Sequence, residues 1–129
     1  MRIYVFSYNR GRFLRNCLNS VFRHAPQYPV TVIDDGSTDP EVKKVQNEFY
    51  DHITFVQSDK NYKDQYLGGL YPDIQFAMEA SREDKWVLFI QDDQQLVRNI
   101  DRFGGEPCEL CCRRFAGSLE LATNFLKAN

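Results

Sequence analysis

Two pairs of adjacent acids are the residues best placed to do chemistry. One closes Val30-Thr31-Val32-Ile33-Asp34-Asp35-Gly36-Ser37-Thr38-Asp39, the other Trp86-Val87-Leu88-Phe89-Ile90-Gln91-Asp92-Asp93. Each pair ends a run of β-branched and aromatic residues, the pattern of a buried strand that stops at an edge. In an open α/β sheet, ligands bind beyond the carboxyl ends of parallel strands. Two such strands would place up to four carboxylates round one crevice. Crowded carboxylates repel unless a cation sits among them, and hard oxygen donors favour Mg2+ or Mn2+.

The elements that must position these acids follow from hydrophobic periodicity. Residues 2–7 predict a first strand. The spacing of Phe13, Leu14, Cys17, Leu18, Val21 and Phe22 predicts a helix over 10–24 with Asn9 as its N-cap. Pro26 and Pro29 turn the chain towards a second strand at 30–34. Asp39-Pro40-Glu41 starts a helix that runs to about Tyr50, with proline at the first helical position. Residues 53–56 predict a third strand, 58–69 a polar loop, about 70–82 a helix and 86–90 a fourth strand. Leu96 to Phe103 reads as a short helix or turn, Gly104-Gly105-Glu106-Pro107 as a break, and 108–127 as a last helix. The order β-α-β-α-β-α-β plus helix predicts an α/β fold: a mostly parallel twisted sheet with helices on both faces. Residues 1–103 form the expected core and 104–129 a C-terminal helical extension.

Bulk properties narrow the function. The chain has 129 residues, long enough for one domain with a real core. A net charge of −2 argues against nucleic-acid binding through a broad basic surface. No run of about 20 apolar residues predicts a membrane span, and Met1-Arg2 leads into a strand without a signal-peptide pattern. A cytoplasmic location is expected, with peripheral attachment at the inner face of a membrane as the alternative. Cys17, Cys108, Cys111 and Cys112 read as reduced thiols, because no second ligand pair completes a zinc site.

Ser7-Tyr8-Asn9-Arg10 after the first strand, Ile33-Asp34-Asp35-Gly36-Ser37-Thr38-Asp39 after the second and Gln91-Asp92-Asp93 after the fourth together resemble family 2 glycosyltransferases of the GT-A fold. The resemblance covers roughly residues 1–100 and includes the helix carrying Cys17-Leu18-Asn19-Ser20. It implies the nucleotide-sugar-binding half of such an enzyme, with Ser7, Asn9, Asp35 and Asp92 as nucleotide-binding residues. Asp35 would accept a hydrogen bond from the base, usually uracil. Asp92 would sit near the ribose or a metal-bound water, and Asp93 would ligate a Mg2+ or Mn2+ ion bridging the two phosphates. The implied donor is a UDP- or dTDP-sugar, the acceptor a sugar or lipid-linked molecule, and the chemistry inverting. A departing diphosphate gains negative charge, which a carboxylate-held divalent ion neutralises.

Simpler roles weigh on several of these residues. Asp34 reads as a turn support, Asp39 as an N-cap, and Ser37 and Thr38 as turn residues. Arg10, Arg12 and Arg15 read as a solvated helix face, with phosphate contact by Arg10 the minority reading. Tyr4, Phe6 and Phe89 read as core. Lys60 or Lys63 could replace the basic residue many relatives carry beyond the third strand. The acceptor domain and the carboxylate general base are expected to be missing: Asp101, Glu106, Glu109 and Glu120 lack the base's setting. The isolated chain is therefore expected to be inactive, and its catalytic residues stay unassigned. A homodimer is compatible with the apolar 108–127 helix, which carries Leu110, Phe115, Leu119, Phe125 and Leu126. The competing reading is a catalytically dead nucleotide- or partner-binding module. A phospho-receiver domain is rejected because the first strand ends in Ser7-Tyr8-Asn9 rather than an acid pair. A dinucleotide-binding domain is rejected because Asn9-Arg10-Gly11-Arg12 lacks the glycine-rich turn.

Overall fold

A computed structural model of the chain describes residues 1–58 and 69–100. The chain divides into two compact units, Met1–Val97 and Arg98–Asn129. The expected break at Gly104–Pro107, the Cys108–Lys127 helix and three of the four cysteines lie outside the described residues, as do Lys60 and Lys63.

Four strands and three helices alternate through the first unit: β1 (Arg2–Ser7), α1 (Gly11–His24), β2 (Val30–Asp34), α2 (Pro40–Glu48), β3 (Ile53–Gln57), α3 (Leu70–Ala80) and β4 (Val87–Gln91). The strands form one parallel sheet in the order β3-β2-β1-β4. Right-handed crossovers put α1 and α2 on one face, because β1→β2→β3 steps in one direction. The next connection reverses across the sheet, so α3 lies on the other face. The α/β fold with helices on both faces is as the periodicity predicts.

Alternation along β1 and β2 sorts the core. Tyr4, Phe6 and Ile33 are buried with Ala77 of α3, and Val56, Leu70, Ile74 and Phe89 pack against them. Tyr4 and Phe6 each meet the Phe89 ring edge-on, with centroids 5.8 and 5.6 Å apart, a favoured aromatic geometry. The opposite side of the alternation, Ile3, Val5 and Val32, is fully buried, as are Leu14, Cys17, Leu18 and Val21 of α1. Phe13, expected on that apolar stripe, is exposed instead; it lies one position round from Leu14, on the solvent edge. Arg15 pairs with Glu41 and Glu48 of α2 at 2.7 and 2.8 Å. It clamps two helices rather than facing solvent alone.

One sequence expectation needs correction. Asn9 does not cap α1. The helix starts at Gly11, its N-cap position is Arg10, and the Arg10 side chain makes no capping bond. Asn9 adopts a left-handed backbone, φ 50°, which asparagine tolerates better than most residues. From Leu96 to Ile100 the chain is not helical but runs through bends and turns, the second of the two forms expected there.

Candidate functional site

The strand order places a topological switch point between β1 and β4, the position where open α/β sheets bind ligands. A cavity of about 160 Å³ opens there, lined by Phe6, Ser7, Tyr8, Arg10, Asp35, Leu70, Asp73, Gln91 and Asp92. Ligand pockets commonly measure roughly 300–1,000 Å³, so this cavity could enclose only part of a ligand of ordinary size.

Backbone bonds bring the acids to the end of β1 from both sides. Asp35 N–H donates to Ser7 O at 2.9 Å, and Asp92 N–H donates to Phe6 O at 3.0 Å. Each extends the parallel ladder one residue past its strand. Of the four strand-end carboxylates, only Asp35 and Asp92 line the cavity. Asp34 is 2% exposed and points into its own loop, where its two oxygens accept from Ser37 N–H, at 2.8 Å, and from Ser37 Oγ. The single four-carboxylate crevice that the spacing suggested does not form, because this loop consumes Asp34.

The same loop claims Asn9 and Asp39. Asn9 N–H donates to Ser37 Oγ at 2.8 Å, while Asn9 Oδ1 accepts from Thr38 and Asp39 N–H at 2.7 and 3.0 Å. Asn9 therefore ties the end of β1 to the β2–α2 loop and does not line the cavity. Asp39 caps α2, as expected, by accepting from Glu41 N–H at 2.9 Å, and it also accepts from Gly11 N–H at 3.3 Å. Gly36 takes φ 72° at the turn, a region glycine enters without steric cost.

The cavity itself is less self-sufficient. Ser7 is 4% exposed, and its Oγ has no hydrogen-bond partner among the described residues. That oxygen is near enough to Asp92 to ease its carboxyl slightly downward, without a bond of acceptable geometry. An unpaired buried hydroxyl costs roughly 1–3 kcal/mol, a penalty that an incoming polar ligand atom would relieve. Asp92 is also 4% exposed. Burial pushes its carboxyl above the ordinary range; the Tyr8 N–H, at 3.2 Å from Oδ2, and the Arg10 guanidinium oppose this, and Asp93 adds to the rise.

Arg10 Nη1 lies 3.6 Å from Asp92 Oδ1 and 3.0 Å from Asp93 Oδ2. Asp93 stands at the rim, half exposed, and reaches the cavity through this arginine. Nη1 sits between the two carboxylates, whose hard oxygens are of the kind that suit a divalent ion. Among the described residues no group of three His, Cys, Asp or Glu side chains forms a metal cage. Mg2+ commonly binds through only one or two carboxylates plus phosphate oxygens, so the pair fits such an ion shared with a phosphorylated ligand.

Sequence reasoning gave one wall residue only a minority role and another none. Arg10 looked like part of a solvated arginine face, and only the switch-point topology aims it at Asp92. Asp73, in the first turn of α3, drew no sequence reading at all, yet it is 5% exposed. Its side chain accepts from Ser58 Oγ, and nothing in the local pattern signals that burial. Beneath β4, Cys17 Sγ lies 3.8 Å from Gln91 O. Burial, helped by Asp92 and Asp93, pushes its thiol up to about 12, which keeps it protonated and inert at neutral pH.

No curated protein matches the chain. Among solved structures it is similar to TarS of S. aureus: a crystal structure of TarS residues 1–349 aligns at 25% identity and TM-score 0.55, covering 72% of this chain and 28% of that one. A longer TarS structure aligns at 21% identity and TM-score 0.56, covering 81% and 19%. TarS 1–349 in complex with UDP aligns at 22% and 0.50, covering 72% and 28%. The chain thus spans less than a third of these relatives, and the last two show likeness of fold alone. The family model for glycosyl transferase family 2 matches residues 3–99, from the start of β1 past the Asp92-Asp93 pair, and the chain belongs to that family.

Proposed function

We propose that this chain is the donor-binding part of a glycosyltransferase and holds a nucleoside diphosphate sugar, with UDP the best-supported nucleotide, in the cavity at the β1/β4 switch point. The observation that carries the reading is the pairing of an orphaned buried Ser7 hydroxyl with a desolvated Asp92 beside it, in the family's strand-end motifs. A polar ligand atom would satisfy the Ser7 hydroxyl and could meet Asp92 beside it. The UDP complex of TarS supports the choice of nucleotide.

In this reading Asp35 accepts a hydrogen bond from the base, Ser7 and Asp92 meet the ribose side, and Arg10 turns from the acid pair towards a phosphate. Asp92 and Asp93 would hold a Mg2+ or Mn2+ ion, which when bound supplies charge neutralisation at the leaving diphosphate. Transfer with inversion to a sugar or lipid-linked acceptor needs a base that deprotonates the acceptor hydroxyl. No described residue is set up for that step, so residues 1–129 alone should transfer no sugar at a useful rate. A homodimer and a cytoplasmic or membrane-peripheral setting complete the proposal; light scattering and cell fractionation test them.

Calorimetric titration of the chain with UDP, with and without Mn2+, tests the metal role. Binding should tighten with Mn2+, and Asp93→Asn should remove most of that gain because a neutral amide is a poor hard-cation ligand. Equal affinity under all four conditions would remove the metal from the account.

A further inference from the structure

The base end of the cavity carries a second carboxyl group beside Asp35. A Cβ built on Gly69 would lie 1.9 Å from Asp35 Oδ1 and 2.0 Å from Oδ2, so the Asp35 carboxylate rests directly against the start of α3. Asp73 stands one turn on, its N–H bonded to Gly69 O at 3.1 Å, and lines the same cavity. We propose that Asp73 is a specificity-determining residue of the site: Asp35 accepts from a ring N–H while Asp73 donates a proton to the adjacent ring carbonyl. This inference rests on the nucleotide-binding reading given above.

An N–H next to a C=O is the edge of uracil and thymine, and of the lactam of guanine. Cytosine presents the reverse, a ring acceptor beside an amino donor. One carboxylate cannot distinguish these edges in both directions, but an acceptor beside a donor can.

Electrostatics favour the donor role for Asp73. Burial raises its carboxyl above the ordinary range; Asp35 and Asp34 raise it further, and only the Ser58 hydroxyl lowers it. Among the described residues, the groups facing it are Asp34 and Asp35 from the β2 end and Ser58 from the β3 end, with Arg10 and Asp92 across the cavity. No ion pair to Asp73 exists among the described residues, and Arg10 is taken up by Asp92 and Asp93. Two neighbouring carboxyls do not readily both ionise, and burial together with Asp35 and Asp34 favours the protonated form of Asp73.

The sign of the pH effect follows. As pH rises through the raised Asp73 pKa, the donor becomes an anion facing the base carbonyl, and UDP affinity should fall. Asp73→Asn keeps a donor that does not titrate, so its affinity should stay level over that range while retaining UDP preference. Asp73→Ala removes the donor and should lower the UDP-over-CDP ratio roughly three- to tenfold. The experiment is calorimetric titration of wild type, Asp73→Asn and Asp73→Ala with UDP and with CDP from mildly acidic to mildly alkaline pH, without metal. Diphosphate ionisation is common to all three proteins and cancels in the comparison. If Asp73→Ala fails to fold, the Asn profile decides alone. Parallel pH profiles for wild type and Asp73→Asn, with UDP still preferred, would overturn the role of Asp73 and leave the nucleotide reading intact. Absence of UDP binding in wild type at every pH would overturn both.

Discussion

The two acid pairs look alike in sequence and are used in opposite ways. After β2, the buried Asp34 is spent on its own loop. Its carboxylate binds Ser37 twice, and Asn9 and Asp39 close the network round it. After β4, the buried Asp92 meets one backbone N–H and a shared arginine, next to a hydroxyl that has no hydrogen-bond partner of its own among the described residues. The first end is complete without a ligand and the second is not. A buried acid is therefore a site candidate when the protein leaves its hydrogen-bonding capacity open, and a scaffold when it does not.

The largest break in this comparison should come from Asp34→Ala. It strips Ser37 of two bonds in a buried setting and should cost roughly 3 kcal/mol of stability, read by chemical denaturation. UDP affinity measured on the folded fraction should change far less. Asp92→Asn should do the reverse, weakening UDP binding while the fold holds.

Gly69→Ala sharpens the contrast from the side of α3. The atoms nearest its methyl group all belong to the movable Asp35 carboxylate, so the fold should survive with that carboxylate swung aside. The UDP-over-CDP preference should fall by roughly 1.5–3 kcal/mol, the worth of a charged hydrogen bond, with the melting temperature little changed. A preserved preference would show that Asp35 needs no such seat.

Asp39→Ala should cost about 1 kcal/mol, the usual worth of an N-cap, and leave nucleotide selectivity alone. The smallest effect is a pH slope. Asp92 and Asp73 have carboxyl pKa values raised in the folded state. Their contribution to stability is therefore full below the unfolded aspartate pKa and is lost as pH rises through the folded values. Asn at either position should remove that part of the slope, read as the difference between wild-type and variant melts across pH. An unchanged slope in both variants would show these carboxyls to be solvated.

Most of this architecture is legible in the sequence, because strand and helix periods differ and the chain keeps to them. All seven elements fall within a few residues of their predicted spans, and Asp39-Pro40 marks the start of α2 outright. The family's strand-end motifs are equally legible. Arg10, Asn9 and Asp73 are not. Asn9 takes a left-handed backbone and serves a loop 28 to 30 residues away, a contact no local pattern encodes. Arg10 and Asp73 reach the cavity only because the chain reverses between β3 and β4 and sets α3 against the β2 end. Tertiary packing creates those roles from residues whose neighbours in sequence mark them as ordinary.

The central claim is that the open end of the sheet reads a uracil nucleotide through Asp35. Its most direct test is titration of wild type and Asp35→Ala with UDP and CDP. The account predicts that wild type binds UDP in preference to CDP, and that Asp35→Ala binds UDP more weakly with that preference largely gone. No binding of UDP by wild type, or an undiminished preference in the variant, would contradict it.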